Sequence, residues 1–107
     1  MANALLEVVD TFTALDAQYN MLWMACQTQA DRDALDAKYA AAQENVETCT
    51  GKALEDDDAE VAQLSKELKT CNDELKKAVT EMGDMSKVLD NLTQALTIGA
   101  QLIAKFP

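Results

Sequence analysis

Residues 61–106 read VAQLSKELKT CNDELKKAVT EMGDMSKVLD NLTQALTIGA QLIAKF. From Val61, the positions Leu64, Leu68, Cys71, Leu75, Ala78, Met82, Met85, Leu89, Leu92, Leu96, Gly99, Ile103 and Phe106 follow in steps of three and four without a slip. An apolar row with that spacing runs along one side of an α-helix, and marks a helix that lies lengthwise against another. The pattern predicts one continuous second helix over about 57–105, a rod of roughly 70 Å at ~1.5 Å per residue.

Upstream of this stretch the chain carries a stop and a start. Thr50-Gly51 is a helix C-terminal signal, since glycine takes the left-handed conformation that ends helices. Asp57 and Glu60 have the spacing of a capping box, and the acids from Glu55 to Asp58 suit the positive end of a helix dipole. The turn is therefore expected near 51–56. A first helix over about 3–50 precedes it, with Asn3 as N-cap. Its apolar row runs Leu5, Val8, Phe12, Leu15, Tyr19, Leu22, Cys26, crosses a polar stretch, and resumes as Leu35, Tyr39, Ala42, Val46, Cys49. The two rows are out of phase, and Thr28 with Asp31 has capping-box spacing. The reading favours a first helix that is nearly continuous and bent near 28–33, over two helices joined by a short connection.

The rows of the two long helices match when the helices run antiparallel. Phe12 with Leu96, Leu15 with Leu92, Tyr19 with Leu89, Tyr39 with Leu68, and Val46 with Val61 keep a near-constant sum of residue numbers. The expected fold is all-α: a long antiparallel, coiled-coil-like helical hairpin forming a single domain over 1–107. Composition agrees, with 3 Gly, 1 Pro and 5% aromatic residues, too few β-branched and aromatic runs for strands.

A hairpin leaves apolar residues uncovered. On helix two the flanking row Glu60, Glu67, Glu74, Glu81 gives way to Val88, Ala95 and Leu102, with Ile98 beside them. On helix one Leu6, Val9, Met21, Trp23 and Met24 fall off the row, all before Cys26. In a hairpin these share the end that carries both termini. Two helices bury only a narrow stripe each, so this wide face needs a further partner. A homodimer completing a four-helix bundle is the first expectation, and a different protein with a helical or basic surface the second. The protein-interface residues are therefore Leu6, Val9, Trp23, Met24, Val88, Ala95, Ile98 and Leu102. Gly99, opposite Val8, is expected to let the two helices approach closely.

Chemistry is sparse. With no histidine, the commonest general base and metal ligand is missing. The 3 cysteines fit no zinc or redox spacing and would not meet in a hairpin, so no disulfide is expected, and Cys49 should be the most exposed thiol. The acids at 55–60 lack the alternating oxygen ligands and glycine of a calcium loop. No catalytic, cofactor-binding or metal residue is assigned, and the chain is not read as an enzyme. A formal net charge of −10 opposes binding to nucleic acid or anionic lipid. No apolar stretch approaches the about 20 residues of a membrane span, and Met1–Asp10 lacks a signal peptide's basic start. The functional expectation is a non-catalytic, cytoplasmic interaction protein, such as a small acidic chaperone, adaptor or inhibitor. A self-assembling or secreted structural subunit using the same face is the alternative.

Overall fold

A computed structural model of the chain describes residues 5–50, 52, 59–81 and 85–106. They form four helices and, among the described residues, no strand: α1 (Leu6–Ala25), α2 (Gln29–Cys49), α3 (Ala59–Glu81) and α4 (Met85–Ala104). The all-α class holds. So does the four-helix bundle, with the difference that one chain supplies all four helices.

Each expected long helix is two helices. The first breaks where its apolar row slips phase. Cys26 is extended, with φ −65° and ψ 131°, and its N–H closes onto the carbonyls of Leu22 and Trp23. Thr28, also extended, then caps α2 by accepting a hydrogen bond from the Asp31 N–H at 3.1 Å. The near-continuous first helix is thus corrected to an antiparallel pair. The rod of roughly 70 Å is likewise absent, because α3 and α4 pack side by side and the long dimension is only 43 Å. The physical reason is the wide apolar face itself. Folding α4 back onto α3 lets the chain bury Val88, Ala95 and Leu102 internally, which a two-helix hairpin could not do. Of the sequence expectations, Asn3, Gly51, the acids Glu55–Asp58 and Met82 lie outside the described residues.

Directions follow from side-chain pairs. Tyr39 meets Asp16 across α1 and α2, and Lys105 meets Glu60 across α3 and α4, so both hairpins are antiparallel. Between hairpins, Asn72 meets Glu7 and Lys76 meets Asp10, making α1 and α3 parallel neighbours. Similarly, Ala42 and Asn45 of α2 flank Ala95 and Gly99 of α4 in parallel. Around the bundle the order is α1, α2, α4, α3, and the chain crosses a diagonal between α2 and α3. The other diagonal keeps part of the sequence pairing: Val8 of α1 lies against Gly99 of α4.

The core divides lengthwise into two clusters. Leu5, Val8, Cys49, Val61, Leu68, Ala95, Leu102 and Phe106 fill the end where α1 starts. Leu15, Leu22, Leu35, Ala42, Leu75, Val79, Val88 and Leu92 fill the end where α1 turns into α2. A buried polar group sits between α1 and α3. Asn72, fully buried, donates to the Glu7 carbonyl at 2.9 Å and to its carboxylate at 3.1 Å, and accepts from the Thr11 hydroxyl at 2.5 Å. With its donors and acceptor all engaged, it fixes the lengthwise register of a parallel helix pair.

Candidate functional site

The eight residues expected at an interface divide into three groups. Val88, Ala95 and Leu102 are buried by the chain's own helices, so they are core rather than surface. Val9 and Ile98 are half-buried against the cluster that holds Ala95 and Leu102. Leu6, Trp23 and Met24 are exposed, to 52%, 39% and 78%, and Met21 joins them at 52%. The expected face at the termini end is therefore corrected: what remains outside is the outer surface of one helix, α1, along its full length.

Why α1 presents this surface is visible in its sequence, LEVVDTFTALDAQYNMLWMA. Its inward row is Val8, Thr11, Leu15 and Leu22, all buried. Its outward row is Leu6, Asp10, Thr13, Ala17, Asn20 and Met24, again in steps of four and three. The inward row is apolar apart from Thr11, while the outward row is mixed, with Asp10, Thr13 and Asn20 between large apolar side chains at its two ends. The other three helices expose no large apolar side chain among the described residues.

Charge thins out along the same helix. Glu7, Asp10 and Asp16 are its ionisable carboxylates, and each has a neighbour within the fold. Glu7 accepts from Asn72, Asp10 pairs with Lys76 at 2.7 Å, and Asp16 accepts from the Tyr39 hydroxyl at 2.6 Å. From Ala17 to Ala25 no charged residue occurs at all. In a chain of net charge −10 that is a marked local depletion, and depletion of charge is what sets the centre of protein interfaces apart.

Beside the outward row, a shallow groove of about 450 Å³ runs between α1 and α3, lined by Ala14, Ala17, Gln18, Met21, Lys76, Val79 and Thr80. Small alanines on α1 keep it open, and Met21 forms one side. Trp23 lies on the other flank, toward α2, where the Arg32 guanidinium stacks over its ring at 4.5 Å. That stack holds the indole in place and leaves its edge to solvent.

On the α1–α2 side, Tyr19 and Tyr39 cross-brace the hairpin. Tyr19 donates to Asp36 and Tyr39 to Asp16, while their rings sit 4.8 Å apart. The carboxylate partner, then burial, pushes the Tyr19 phenol up to about 12, and Tyr39 is raised for the same two reasons. Both groups are neutral donors, suited to bracing rather than to proton transfer near neutral pH.

The three cysteines are free and buried. Cys49, expected to be the most exposed, is fully enclosed beside Leu5 and Phe106, because α1 and α4 close over the end of α2. Burial raises all three thiols, and Glu74 and Glu67 add to the effect at Cys71. They are therefore poor nucleophiles. Among the described residues no cluster of acids, cysteines or histidines is arranged to hold a metal ion. Nor is any described helix long and apolar enough to cross a membrane.

No protein family matches the chain, and neither a curated protein nor a solved structure matches it.

Sequence reasoning picked out Leu6, Trp23 and Met24 because they fall off the apolar row. Met21 carried the same signal. Thr11 and Asn72 were missed, because a polar residue at an inward position shows its partner only once the helices are paired.

Proposed function

We propose that this chain is a non-catalytic protein–protein interaction module, an acidic chaperone, adaptor or inhibitor-type protein, that binds through the outer face of α1. The observation that carries the reading is the placement of Leu6, Met21, Trp23 and Met24. All the large exposed apolar side chains among the described residues lie on one helix, and that helix has lost charge toward its C-terminal half. Scattered exposed apolar residues need no explanation, whereas Met21, Trp23 and Met24 stand together within about one turn at the end of α1, a local cluster of the kind a docking surface presents. Methionine and tryptophan add adaptable, high-area contacts. The same reading places the protein in the cytoplasm, where three unpaired thiols stay reduced.

The test replaces Met21 and Met24 by glutamate and compares the variant with wild type and with Thr97→Glu, an exposed α4 control. The readouts are affinity capture and solution mass. The reading expects wild type and the control to share a bound protein or a raised mass that the Met21→Glu, Met24→Glu variant loses. Three proteins that behave identically in both assays would refute it.

A further inference from the structure

We draw no further inference here: the strongest candidate, the apolar patch of Met21, Trp23 and Met24 at the end of α1 with the shallow groove between α1 and α3 beside it, carries nothing beyond the interaction reading, because nothing in the structure shows what covers it.

Discussion

Replacing Thr11 by valine and Asn72 by leucine, singly and together, probes the hydrogen-bonded polar pair buried between α1 and α3. Thr11→Val keeps the shape and removes the hydroxyl that donates to Asn72 Oδ1 at 2.5 Å. The oxygen is then a buried acceptor without a donor, a loss of ~1–3 kcal/mol. Asn72→Leu removes the two bonds donated to Glu7, whose carbonyl and carboxylate are part-exposed and can turn to water. In that variant the Thr11 hydroxyl turns its proton to the Glu7 carbonyl, 3.1 Å away. Its loss is therefore smaller, about 1 kcal/mol, and partly offset by burying a leucine. In the double variant no buried polar atom of this pair is stranded. The double should therefore be less destabilised than the sum of the singles by ~1 kcal/mol or more. Urea unfolding followed by helical circular dichroism measures all three, and an unchanged slope shows that the unfolded state is not the cause. A double variant equal to the sum of its parents within a few tenths of a kcal/mol would refute the reasoning.

Two further outcomes follow from local geometry. A methyl group added at Gly99 would meet Asn45, Val8 and Leu68 at 3.6, 3.9 and 4.0 Å, ordinary contact distances. Gly99→Ala should thus stabilise the fold by about 0.5–1 kcal/mol through helix propensity and a less free unfolded chain. A lowered melting temperature would show that the helices cannot spare that space. The second outcome concerns pH. The Tyr19 phenol stands above its unfolded value of about 10, so its bond to Asp36 contributes fully below that pH and fades as pH rises through about 12. Phenolate absorbance should show one tyrosine titrating near 12 and returning to the ordinary range in urea. A native titration with every tyrosine in the ordinary range would show the brace to be absent.

Much of the fold was legible because helical periodicity survives a change of partner. Leu15, Leu22, Leu68, Leu75 and Leu92 are core positions in a long hairpin and in the compact bundle alike, since each still points to one side of its helix. The break at Cys26–Thr28 left a mark, the phase slip between rows, and was underweighted. The reversal between Glu81 and Met85 left no such mark. A short connection there lets both helices keep the same stripe inward, so the heptad count runs on undisturbed. The burial of Val88, Ala95 and Leu102 was misassigned for the same reason: their row was correctly read as too wide for one partner, and the extra cover proved to come from this chain. Leu6, Trp23 and Met24 were legible because no other helix of the bundle packs over the side of α1 that carries them. Cys49 was not, because its cover comes from Leu5 and Phe106 at opposite ends of the chain.

The two core clusters have a bearing on how the domain comes apart. Each takes residues from all four helices, so neither α1–α2 nor α3–α4 holds a complete core of its own. Separating the hairpins exposes both clusters at once, and peeling one helix away opens both along their length. There is no smaller unit whose loss leaves the rest content. Despite being built from two local hairpins, the chain should lose its structure in a single cooperative step, with the calorimetric and van't Hoff enthalpies equal. A half-folded hairpin would then be a fleeting species, and its sticky inner faces would seldom be offered to other chains.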